Sequence, residues 1–163
     1  MRRFNLFVAA TVTSFAFASP ALAAQTTAVT SVSVIKPVTL AKLQDMDFGT
    51  LAFAGFTGTR TIALSRLGVV TCAADIVCSG TGKQARFNVS GSKQVTVLIT
   101  YSGGTLSNGT DSIPFTADGQ ATMTLTNNGS PGNNFDVGGS LSVTSALVGG
   151  IYTGTMAVTA DYQ

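Results

Sequence analysis

Two cysteines, Cys72 and Cys78, and seven aspartates are nearly all this sequence offers for chemistry, because it has no histidine, glutamate or tryptophan. Without histidine, neither a Ser-His-Asp triad nor a histidine-based zinc site can be built. Asp45 and Asp47, in "DMD", fall on the same side of an extended segment, which suits a calcium ion or a paired-acid site. Two carboxylates are a small part of a calcium shell, however, and glycoside hydrolysis needs a matched pair across a cleft. Turn and strand-edge solubility is the plainer role. The glycines sit in hairpin-type turns with no helix after them, so they do not make a phosphate-binding loop. These residues point away from an enzyme: the expectation is no catalytic residue, no cofactor and no metal.

The cysteines depend on compartment. The chain opens "MRRFNLFVAATVTSFAFASPALAAQ", with Arg2 and Arg3 ahead of an apolar run and an A-x-A site at Ala21-Leu22-Ala23. That is the pattern of a secretory signal peptide, expected over residues 1–24, and the apolar run is too short to span a membrane. In an exported protein an even pair of cysteines is expected to form a disulfide. The loop "CAADIVC" is short, so closing it stabilises by about 2–2.5 kcal/mol on the chain-entropy model. A redox pair fits poorly because the spacing is not C-x-x-C, and a metal site lacks further ligands.

Cleavage leaves about 139 residues, one domain's worth. With Arg2 and Arg3 gone, seven basic residues balance seven aspartates. A neutral surface gives no reason to expect nucleic acid or anionic lipid as a partner. No later stretch is long and apolar enough for an integral membrane helix.

Period-two alternation recurs along the chain and predicts strands. In "ARFNVSG", Ala85, Phe87 and Val89 alternate with Arg86, Asn88 and Ser90. "QATMTLTN" and "SLSVTS" repeat the scheme, while in "QVTVLITY" Leu98 breaks it, as in a central strand covered on both faces. "SIPFTA" carries Pro114, which suits an edge or strand end. Asn108-Gly109, Asp118-Gly119 and Asn128-Gly129 supply the positive φ values of tight hairpins. No segment keeps a helical period for three turns. The expected fold is all-β, a single immunoglobulin-like or pilin-like antiparallel sandwich over residues 25–163.

The last stretch, "GGIYTGTMAVTADYQ", puts Tyr152, Met156, Val158, Ala160 and Tyr162 on one face, and Thr153, Thr155, Thr159 and Asp161 mostly on the other. Tyr162 is penultimate and Gly150 is fourteenth counting back from Gln163. This resembles the C-terminal strand of chaperone–usher pilins, where a penultimate aromatic and an upstream glycine stand in that relation. A wider resemblance rests on "VSVIKPVTLAKLQDMDFGTLAFAG", "GGSLSV" and "GIYTGTMAVTADYQ". These are similar to a bacterial exported family catalogued as domain of unknown function 4402, and to spore-coat-U-like and archaic pilus subunits.

The pilin resemblance implies a fimbria-like fibre subunit, structural or adhesive, that crosses the periplasm to the cell surface. It implies a periplasmic chaperone, an outer-membrane usher and self-association by strand exchange as partners. Gly150, Met156, Val158, Ala160 and Tyr162 would form the pairing strand. Residues 25–36 would be the donor strand, with Val32 and Val34 as its plugs, although neither face of "QTTAVTSVSVIK" is strongly apolar. The same segment reads equally well as a first strand closing its own domain. One departure is the short cysteine loop, since many pilins carry a long-loop disulfide. It favours an archaic branch or a non-pilus relative. The alternative is a stand-alone secreted binding module for glycan or matrix. A small outer-membrane barrel is the weaker alternative, because the apolar runs are short and three tyrosines cannot make two aromatic girdles.

Overall fold

A computed structural model of the chain describes residues 23–163. The signal-peptide expectation for residues 1–24 lies, up to residue 22, outside the described residues. The chain divides into two units, one ending at Ser33 and the other running Val34–Gln163. In the first, residues 23–33 carry no strand and are exposed. The second holds all the described strands.

These are β1 (Thr39–Gln44), β2 (Thr50–Phe53), β3 (Thr59–Leu64), β4 (Val70–Thr71), β5 (Ile76–Ser79) and β6 (Ala85–Ser90). They continue as β7 (Thr96–Tyr101), β8 (Gly104–Ser107), β9 (Ser112–Asp118), β10 (Thr122–Thr124), β11 (Asn133–Thr144) and β12 (Val158–Tyr162). The described residues contain no helix, so none that could cross a membrane. The fold is all-β, and every pairing between these strands is antiparallel. One sheet runs β1-β6-β11-β3-β4, with β9 also on β11 and β8 on β9. A second sheet is β10-β7-β12, and among the described residues β2 and β5 pair only with each other. The arrangement is a sandwich.

Alternation explains which residues meet inside. Ala85, Phe87 and Val89 of β6 face Val97 and Ile99 of β7, and Phe135, Val137 and Leu125 complete this first core. A second core gathers Phe56, Ile62, Ile76, Ile113, Leu141 and Val143. Strand β11 runs through both. Its odd-numbered residues point inward along its length, Phe135 and Val137 into the first core, Leu141 and Val143 into the second. Its partner changes midway, from β6 at Asn133–Val137 to β3 and β9 beyond. Gly138 and Gly139 stand at that change. A Cβ on Gly138 would collide with the Leu64 carbonyl, and one on Gly139 would lie 2.5 Å from the Phe115 ring.

Two local readings are refined. Leu98 does not sit between two layers: it is 41% exposed on the outer face of β7, between Thr122 and Asp161. The three-stranded sheet has only one face covered, so an apolar residue on the other face stays in water. Pro114 lies inside β9, but the pairing of β9 with β11 begins at Phe115, so the missing N–H removes no bond to β11. At the end of β7, burial pushes the Tyr101 phenol up to about 12, so it stays protonated and donates to the Gln120 carbonyl at 2.8 Å.

Two substitutions in β11 test the close approach. Gly138→Ala is expected to destabilise by about 1–3 kcal/mol, because the added methyl meets main chain that cannot yield. Thr144→Ala, exposed on the same strand, should stay within about 0.5 kcal/mol. Urea midpoints of the two variants measure the difference.

Candidate pairing edge and adjoining cleft

The segment leading to β12 changes sheets. Thr153 exchanges two main-chain bonds with Ser107 of β8, at 2.8 and 3.0 Å, and so borders the first sheet. Four residues later the Ala157 carbonyl accepts from Ser102 N at 2.9 Å, and β12 continues on β7 of the second sheet. Gly154 permits the crossing: a Cβ there would collide with the Thr105 carbonyl and lie 3.2 Å from Leu106 Cα. The inward face survives the change. Tyr152 packs on the second core, and Met156, Val158, Ala160 and Tyr162 on the first.

Register then decides where the main chain of β12 points. Ala157 O accepts from Ser102 N, and Gln163 N donates to Thr96 O at 3.1 Å. In an antiparallel pair such bonds recur at every second residue, so Thr159 and Asp161 also face β7. The N–H and C=O groups of Val158, Ala160 and Tyr162 therefore turn to the opposite edge. No strand pairs that edge among the described residues. Immunoglobulin-type sandwiches order their strands A-B-E-D in one sheet and C-F-G in the other. Here β1-β6-β11-β9 follows the first order and β7-β12 follows the second as far as F. The free edge of β12 is where strand G would stand.

Strands β1 and β12 are edges of their sheets and come together along one side of the sandwich. At one end a shallow recess lies between Ile35–Val38 and Ala160–Tyr162. The Tyr162 hydroxyl pins that end, donating to the Lys36 carbonyl at 2.6 Å and accepting from Ser92 N at 2.7 Å. Lys36 N in turn donates to Ser92 Oγ at 2.6 Å. Gly91 leaves room for the phenol, since a Cβ there would collide with the hydroxyl. Toward the other end opens a cleft of about 590 Å³, lined by Phe48, Leu51, Phe53, Leu147, Ile151 and Tyr152 and also by polar groups, Asp47 and Thr50 among them. Tyr152 donates its hydroxyl to the Val148 carbonyl at 2.6 Å beside it.

The other residues singled out from sequence fall as follows. Cys72 and Cys78 form a disulfide. Gly150 is outside β12 and lines the cleft. Val32 and Val34 are each 87% exposed and in no strand. Asp45 pairs with Lys42 at 2.6 Å, and Asp47 Oδ1 accepts from Gly49 N at 2.8 Å, so each has a local role. Among the described residues no three of His, Cys, Asp and Glu gather as metal ligands would. The cleft-lining Phe48 and Phe53 and the Tyr162 clamp on Lys36 and Ser92 were not anticipated. Leu51 and Phe53 do alternate with Thr50 and Ala52, but nothing local marks Lys36 or Ser92 as partners of a residue so distant in sequence.

Tyr162→Phe keeps the ring in the first core and deletes only the clamp. It is expected to cost about 1 kcal/mol in urea unfolding, the scale of a lost hydrogen bond. Tyr162→Ala should cost about 3–5 kcal/mol at most, because it removes the ring as well.

A model of the family described as domain of unknown function (DUF4402) matches residues 38–162, nearly all of the unit that forms the sandwich. No curated protein and no solved structure gives a significant match. The matched stretch begins just before β1 and ends with Tyr162, so it takes in both walls of the cleft and the free edge: the chain belongs to the DUF4402 family.

Proposed function

We propose that this protein is a structural or adhesive cell-surface subunit that assembles into a fimbria-like fibre by β-strand donation. The observation that carries the reading is the outer edge of β12, which no strand pairs among the described residues and toward which the main-chain groups of Val158, Ala160 and Tyr162 turn. An extended segment laid along that edge gains main-chain hydrogen bonds, and its inward side chains would set register by packing at the rim of the first core. Left bare, such an edge is an aggregation hazard, which an occupant at each stage of export would remove. A periplasmic chaperone fills that role in transit, and an outer-membrane usher exchanges it for the next subunit, as the resemblance to pilins suggests.

The donor in this reading is residues 25–36 of a neighbouring copy. Its residues 25–33 are exposed and carry no strand, and Val32 and Val34 stand out in water. Burying a valine removes an exposure penalty of about 1.5–3 kcal/mol, so a neighbour's groove is a favourable destination. The first core and the edge do no chemistry on a substrate in this reading, and the protein is not an enzyme.

Protein sheared from cells should run in SDS without heating as a ladder that collapses to monomer on boiling. Ala160→Pro deletes an outward N–H while leaving the bonds to β7, a substitution an edge strand tolerates. It should abolish the ladder, as should Val32→Asp with Val34→Asp, whereas Thr159→Ala on the opposite face should leave it. A single monomer band from the unaltered protein, heated or not, would overturn strand donation and leave a self-complete secreted binding module.

A further inference from the structure

We infer that the β2–β5 ribbon is a redox-sensitive flap over the second core, held in place by the Cys72–Cys78 disulfide. The ribbon is two strands of four residues, and it hydrogen-bonds to neither sheet. Two-stranded ribbons are marginal in water unless something else holds them. Its inner face, Leu51, Phe53, Ile76 and Cys78, packs on the second core, while Val77 on the other face is 60% exposed.

The disulfide ties the ribbon to the sandwich at one point. Cys72 directly follows β4, which pairs with β3 in the first sheet, and Cys78 lies within β5, opposite Leu51 of β2. One bond therefore joins the edge of the first sheet to the strand that is β2's sole partner. Near the same turn, Arg60 of β3 grips Asp75 through Nε at 3.1 Å and Nη2 at 2.7 Å, and lies over the Phe56 ring. At the ribbon's other end, Asp47 and Lys83 exchange two main-chain bonds of 2.8 Å. Both sulfur-bearing residues are only part-buried, so a small reductant reaches them.

A dithiol reductant delivers two electrons and two protons across the Cys72–Cys78 bond, leaving two protein thiols and its own disulfide. The loop then regains its freedom, β5 loosens, and β2 loses its partner. The cleft loses a wall at once, because Leu51 and Phe53 line it. The first core is built from β6, β7, β11 and Leu125, with no residue of the ribbon, so it persists. Oxidation state would thus set whether the cleft exists while the rest of the sandwich stands. This holds whatever occupies the β12 edge.

Hydrogen exchange read by mass spectrometry on the whole chain tests it, comparing the oxidised protein, the protein in excess dithiothreitol, and the Cys72→Ser/Cys78→Ser variant. Peptides covering Thr50–Phe53 and Ile76–Ser79 should exchange faster by about tenfold or more in the second and third samples, the scale set by opening a short loop. Peptides from β6, β7 and the first half of β11 should be unchanged. Unchanged exchange in the ribbon would overturn the flap, and so would acceleration spread evenly over both cores, which would make the disulfide a global staple.

Discussion

The structure depends on the main chain of β11 passing against its neighbours at Gly138 and Gly139. A side chain at either position would occupy space held by the Leu64 carbonyl or the Phe115 ring. Because the strand continues there without a bulge, its inward parity is kept, and one element floors two cores. Had the strand bulged, the residues after it would have changed face, because side-chain direction in a strand has a period of two. Leu141 and Val143 would then have left the second core. Two small residues at the crossing let a long strand serve both halves of the sandwich.

That long first sheet is covered unevenly. The β10-β7-β12 sheet lies over the first core and supplies Val97, Ile99, Val158 and Ala160 to it. Over the second core the cover comes from the β2–β5 ribbon and from Leu147 and Tyr152, which belong to no regular strand. Irregular cover packs less completely than a sheet, and the 590 Å³ cleft lies where the ribbon and the Leu147–Tyr152 segment fail to meet. The cleft and the free edge of β12 are thus two results of one cause: the second layer has less strand than the first needs.

What the residue pattern discloses follows from this. "ARFNVS" alternates in sequence and is buried at every second residue in β6, because both its neighbours are strands and one face is wholly covered. "GIYTGTMAVTADYQ" also alternates, and its apolar face is the inward one. Yet only Val158–Tyr162 is a strand, since the segment changes sheets at Gly154. Alternation reports which side of the chain is apolar, and it is blind to which sheet the chain joins. Cys72 and Cys78 were legible as a pair because they are the two cysteines of a chain that opens with the pattern of an exported protein. Their role as the tie between β4 and β5 was not legible, because it rests on the pairings of Leu51 with Cys78 and of Ala63 with Thr71. The Tyr162 clamp was hidden for the same reason: Lys36 and Ser92 become its partners only once β12 lies beside the start of β1.

Tyr162 also shows how one residue serves the interior and the edge together. On β12 the even-numbered residues send their side chains into the first core, and those same residues send N–H and C=O away from β7. Side-chain direction and main-chain direction are perpendicular in a strand, so neither interferes with the other. A strand laid against Val158, Ala160 and Tyr162 would therefore bond to the very residues that build the core, and its own inward side chains would extend that core sideways. The apolar pattern of the ending marks a core face, and the register on β7 is what turns its main chain outward. Shifting that register by one residue would send the side chains of Val158, Ala160 and Tyr162 into water. The free edge is consequently held in place by the packing of the first core.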